Sequence, residues 1–132
     1  NIVKFTAKGG ERCRDVLRCA KKGEEVLLAC YCAFALEGPY REYGPIFVLK
    51  NPSSEKVNYS KLPLSMEEGF DYLPKSFVLK AYNKKEHIIA AEVTTEKESS
   101  LLLTDYLKNK QTCFVVARFA AYGCFALKIK VA

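Results

Sequence analysis

Histidine is almost missing from this sequence: among 132 residues only His87 carries an imidazole. It has no cysteine or carboxylate at metal-ligand or catalytic-triad spacing, and one imidazole cannot build a histidine-rich metal centre. Paired C-x-x-C knuckles are missing too. The nearest arrangements are Cys30-Tyr31-Cys32 and the wider spacing of Cys13 and Cys19, so the expectation is no metal and no cofactor. Long apolar runs are absent as well. The longest, Val26 to Leu36, is eleven residues, against the ~20 that a membrane-crossing helix needs, and no membrane partner is expected. Six cysteines fall short of the ~8–10% that marks a disulfide scaffold. There is no internal repeat and no low-complexity tract.

What is present reads as an ordinary globular chain. Apolar residues make up 49% and charged residues 27%, enough to bury one core, and the length predicts a single domain over residues 1–132. The net charge of +6 is concentrated at the two chain ends, while the middle alternates between acidic and basic blocks. Sixteen of the 21 cations are lysines, which favours a solvated surface over bidentate phosphate recognition. Nucleic acid is therefore not the expected partner, and weak binding through the basic ends is a secondary reading that rests on charge alone. Cys30, Cys32 and Cys113 lie inside apolar runs, where cysteine acts as a small buried hydrophobe. Thiols of that kind point to a reducing, cytoplasmic setting.

Periodicity places the elements. Glu24 to Phe34 is apolar on both alternating faces, which predicts a central strand covered on both sides. Ile46 to Lys50 is a second, short strand. Phe77–Tyr82 and Glu86–Thr95 flank Asn83-Lys84-Lys85 as a hairpin, and Thr112–Phe119 with Cys124–Val131 make another around residues 120–123. In the last arm Phe125, Leu127, Ile129 and Val131 form the apolar face, with Lys128 and Lys130 on the wet one. Thr95 and Glu98 have capping-box spacing ahead of a helical stripe of Leu102, Leu103, Tyr106 and Leu107. Ser65 and Glu68 repeat that signature before a shorter helix through Met66, Phe70 and Leu73. The expected class is α+β, a mostly antiparallel twisted sheet with one main and one short helix packed on it.

Two segments carry candidate chemistry. Cys13 lies between Arg12 and Arg14, just before Asp15, a candidate cap for a helical turn through Val16, Leu17 and Ala20. Neighbouring cations and a helix start both stabilise thiolate, so a thiol enzyme or redox sensor using Cys13 is one reading, and a structural cysteine is the other. The run Gly38-Pro39-Tyr40-Arg41-Glu42-Tyr43-Gly44-Pro45 is a stiff loop in which Tyr40, Arg41 and Tyr43 offer aromatic faces and a fork of donors. It suits an anion or a planar ligand; equally, two tyrosine rings packed back on the sheet with Arg41 paired to a carboxylate would make the loop purely structural. A small binding module for an unidentified ligand or protein partner is the first reading, and catalysis is not favoured.

The ordered motifs also resemble a family. Gly10-Glu11-Arg12-Cys13-Arg14, then Ala20 to Leu28, Pro39-Tyr40-Arg41, Gly44 to Val48, Leu79 to Asn83, Ala91-Glu92-Val93 and Gly123-Cys124-Phe125-Ala126 are similar to the small, mainly bacterial proteins grouped as domain of unknown function 1203. The resemblance implies an uncharacterised activity. It marks Cys13, Arg14, Tyr40, Arg41, Gly123 and Cys124 as motif positions, and with them a Cys13–Cys124 disulfide or redox pair. It implies an N-terminal extension that this chain lacks. It also sets Ala33, Val116 and Arg118 where relatives often carry histidine.

Overall fold

The computed structural model describes residues 2–57, 62–64, 72–120 and 123–131. They form two compact units, Asn1–Tyr31 with Pro45–Leu73, and Cys32–Gly44 with Pro74–Ala132.

The first unit is a five-stranded sheet. Its strands are β1 (Ile2–Thr6), β2 (Arg12–Cys13), β3 (Arg18–Cys19), β4 (Glu25–Tyr31) and β5 (Gly44–Leu49), in spatial order β1-β4-β5-β2-β3. β1 runs antiparallel to β4, with Phe5 opposite Val26, and β2 pairs parallel to β5 through Cys13 and Phe47. Ala7, Cys13, Val16, Ala20 and Val26 are its buried cluster, with Phe5, Phe47, Leu49 and Val57 against it. The segment after Cys13 makes a single α-turn that stops at Leu17 and gives way to β3, so the helical turn that the sequence carries on to Ala20 is cut short. Leu17 N–H donates to Cys13 O, Leu17 takes a φ of 52°, and the Asp15 carboxylate accepts the Leu49 amide of β5 instead of capping its own segment.

The second unit is a four-stranded antiparallel sheet of β6 (Ser76–Tyr82), β7 (Ile88–Thr95), β8 (Phe114–Phe119) and β9 (Phe125–Lys130), ordered β7-β6-β8-β9. Both expected hairpins form. Between β7 and β8 runs α1 (Glu96–Lys108), and it packs on β6, β7 and β8. Its inward side carries buried Ser99 and Tyr106 and half-buried Leu102, Leu103 and Leu107. Facing partners in an antiparallel pair share a side of the sheet. Phe77, Leu79, Ala81, Val115, Ala117 and Phe119 therefore make one apolar face, all of them buried. On the opposite face Tyr82, Phe114 and Val116 gather Ala33 and Phe34.

Several expectations are corrected. The class is mostly β, two sheets with one helix among the described residues, because short strands near the N-terminus that lack clear alternation still pair. The shorter helix expected from Ser65 falls largely on residues outside those described. β4 is an interior strand but not doubly covered: Cys30 and Tyr31 are exposed, and Val26 alone in the strand is fully buried. The fully covered central strand is β8, buried at every residue. Cys113 is exposed and Cys32 half-buried, so the apolar-run argument for burying Cys30, Cys32 and Cys113 fails. Such runs specify strand, and the number of layers packed on the strand decides burial. In β9 the expected wet face is partly covered, since Ala126 is buried and Lys128 half-buried.

Candidate functional site

The densest polar arrangement in the second unit grows from β8. Phe114, Val116 and Arg118 alternate onto one side of the sheet, and Arg118 is only 7% exposed. Its Nη2 pairs with the Glu42 carboxylate from the Gly38–Pro45 loop. Nη1 donates to Gly123 O at 3.2 Å, and the Tyr82 hydroxyl of β6 lies within hydrogen-bonding reach. Its Nε is buried and has no partner. Gly123 holds a φ of 67° and donates its N–H to Phe119 O. That left-handed backbone, which glycine adopts without a Cβ penalty, turns the Gly123 carbonyl back toward Arg118. Burial pushes the Tyr82 hydroxyl above its ordinary pKa, and the Arg118 charge pulls it partly back.

An aromatic wall adjoins this guanidinium. Tyr82 stacks on Phe114 with ring centroids 5.0 Å apart, and Phe34 meets both edge-on. Lys128 Nζ sits 4.2 Å from the centroid of the Phe114 ring and donates to Ala33 O at 2.9 Å. The segment that carries Glu42 is tied down at its start by Glu86. This residue follows the Asn83-Lys84-Lys85 turn with a φ of 62°, and its carboxylate accepts the Ala35 and Leu36 amides at 3.1 and 2.6 Å. Asn83 Oδ1 accepts the Lys85 and His87 amides and shapes that turn. The Tyr40 ring rests against His87 at 5.7 Å, and Arg41 Nε donates to the Tyr43 hydroxyl at 3.0 Å.

Of the residues singled out in the sequence, Gly123 is joined by Arg118 to the loop that bears Tyr40, Arg41 and Tyr43. Tyr40 and Tyr43 are exposed and Arg41 half-exposed. Cys124 follows Gly123 and is half-buried. Cys13 and Arg14 lie in the first unit. Cys13 is fully buried, and desolvation, helped by Asp15, pushes its thiol up to about 12. The flanking arginines do not activate it: Arg12 Nε donates to Tyr72 O and Arg14 Nη1 to Arg12 O. None of the six cysteines forms a disulfide, so the structure holds no Cys13–Cys124 bond. Sequence reasoning missed Glu42, Glu86 and Tyr82 as site residues. The one available signal was a lone arginine in the otherwise apolar run from Phe114 to Ala121.

The family model for a protein of unknown function (DUF1203) matches residues 10–130. The chain belongs to the DUF1203 family. No curated protein and no solved structure matches it. In this DUF1203 member two of the three positions that the resemblance pairs with histidine, Ala33 and Val116, share the buried cluster beside Tyr82 and Phe114. The third, Arg118, stands two residues along β8 on the same side of the sheet as Val116. DUF1203 is a family of unknown function.

Proposed function

We propose that this domain is a binding module for a small ligand. The site is the face of β6 and β8 at Tyr82 and Arg118, with Tyr40, Arg41 and Tyr43 as its outer rim. The observation that carries this reading is the buried Arg118 whose Nε has no partner. Buried ion pairs are weak stabilising devices, since apolar side chains of similar volume often do as well or better. Recognition gives such an arginine a reason to be there. The loop adds two aromatic rings and a second guanidinium in an exposed, Gly-Pro-framed segment, the kind of element on which binding residues concentrate. A thiol mechanism gains nothing from a fully buried Cys13 with a raised pKa, and the polyanion reading gains no site beyond the charge of the chain ends. The exposed thiols of Cys30 and Cys113 favour a reducing compartment, the cytoplasm.

Backbone-amide NMR during titration with a panel of organic acids, nucleotides and sugars tests the reading. Shifts should cluster at residues 35–44, Tyr82 and Gly123. Arg41→Ala should abolish them while changing stability by less than about 0.5 kcal/mol, as expected for a surface position outside the core. Shifts confined to other residues, or a strongly destabilised Arg41→Ala protein, would remove the loop from any binding role.

A further inference from the structure

We infer that the ligand of this site is an organic carboxylate, and that the carboxylate of Glu42 holds its place on Arg118 until the ligand displaces it. The inference rests on the binding reading above and specifies its chemistry. A guanidinium presents Nε and Nη2 along one edge, a fork that matches the two oxygens of a carboxylate. The same chain shows that fork filled: Arg18 in the first unit gives Nε to Glu55 Oε1 at 2.7 Å and Nη2 to Glu55 Oε2 at 3.1 Å. On Arg118 the equivalent edge is half used. Nη2 meets Glu42 Oε2, and Nε, buried beside it, meets nothing. Glu42 therefore leaves one charge-assisted hydrogen bond unmade that an unconstrained carboxylate completes.

The two partners differ in burial as a displaceable pair should. The Arg118 side chain is 9% exposed and cannot regain water, whereas that of Glu42 is 49% exposed and returns to solvent at little cost. Glu42 also sits on the loop that bears the three rim residues, so its departure is coupled to any rearrangement of Tyr40, Arg41 and Tyr43. A carboxylate fits better than a phosphate, which carries more charge. The two oxygens of a carboxylate match the two donors of the Arg118 edge, and Lys128 on the same sheet face is already committed to Ala33 O and the Phe114 ring. The stacked Tyr82 and Phe114 rings suit an apolar portion of an organic acid.

The test compares acetate and inorganic phosphate as probes of the wild type and Glu42→Gln, with Asp105→Asn as a control that removes an exposed charge from α1, outside the site. Binding is read at the Gly123 amide. Acetate should bind Glu42→Gln about tenfold more tightly than the wild type, the worth of one charge-assisted hydrogen bond no longer contested. Asp105→Asn should behave as wild type, and Arg118→Lys placed on Glu42→Gln should lose the gain. If Glu42→Gln fails to fold, the Glu42 side-chain carboxyl resonance of the wild type takes its place, and acetate must move it toward the value of a free glutamate. Phosphate binding as tightly as acetate overturns the carboxylate assignment. Acetate perturbing Gly123 equally in wild type and Glu42→Gln overturns the displacement and leaves the binding reading standing. No response of Gly123 to either anion or to the wider panel removes both.

Discussion

At the scale of single residues, burial decides which polar groups can act. Cys13 has cationic neighbours on both sides in the chain, yet those arginines donate to backbone carbonyls, and the thiol lies in an apolar cluster. Thiolate is the reactive form, so the buried thiol is inert at neutral pH. Cys30 and Cys113 have the opposite surroundings. With a thiol probe on the native protein at pH 8, Cys30 and Cys113 should react first and Cys13 last, at least tenfold more slowly. Labelling of Cys13 at the rate of Cys30, read by mass spectrometry of the peptides, would mean that the first unit opens readily. Arg118 is the complementary case, a charge kept inside because Glu42 and Gly123 meet its two Nη groups.

At the scale of elements, strand pairing overrides a local helix signal at Thr95. Thr95 and Glu98 have the spacing of a capping box, and α1 does begin at Glu96, but the Thr95 side chain makes no cap hydrogen bond. Thr95 is the last residue of β7, paired with Ser76 across the sheet, and the Glu96 amide donates to Lys75 O. The residue before β6 thus supplies an acceptor for one of the free N–H groups at the helix start, without the Thr95 side chain. Thr95→Ala should consequently cost less than about 0.5 kcal/mol in denaturant unfolding, against the ~1 kcal/mol usual for losing a threonine cap. A loss of the full cap value would show that the side chain caps the helix in solution. A similar economy holds the 32–44 segment, whose Ala35 and Leu36 amides share the single Glu86 carboxylate.

At the scale of the whole molecule, ionisation bounds the stable range at both ends. Arg18 holds Glu24 through two hydrogen bonds, and with the Lys21 amide lowers its pKa to about 2 from 4.5. Glu55 is lowered by the same arginine. A carboxylate with a depressed folded pKa contributes stability that is complete above its unfolded value and disappears as pH falls through the folded one. Cys13 and Tyr72 act at the other end. Both are buried as neutral acids with raised pKa values, so the unfolded chain ionises first and stability declines as pH rises above about 9, the ordinary thiol range. Thermal unfolding from pH 2 to 11 should show a plateau between about 5 and 9 with a fall on each side. Arg18→Met should flatten the acid limb, and an unchanged acid limb would mean that Arg18 does not hold these carboxylates in solution.

The sequence by itself determined the hairpins of β6–β7 and β8–β9, the start of α1 and the family, because each is written in contiguous residues: alternation, turn residues, helical spacing and an ordered set of motifs. Only the tertiary structure decided that the strands divide into two sheets, that β8 and not β4 is the covered strand, and that Cys13 is sealed. It alone brought Arg118, Glu42, Tyr82 and Gly123 together. Those outcomes depend on pairing and burial between residues far apart in the chain, and periodicity reports which side of a strand is apolar without reporting what will cover it.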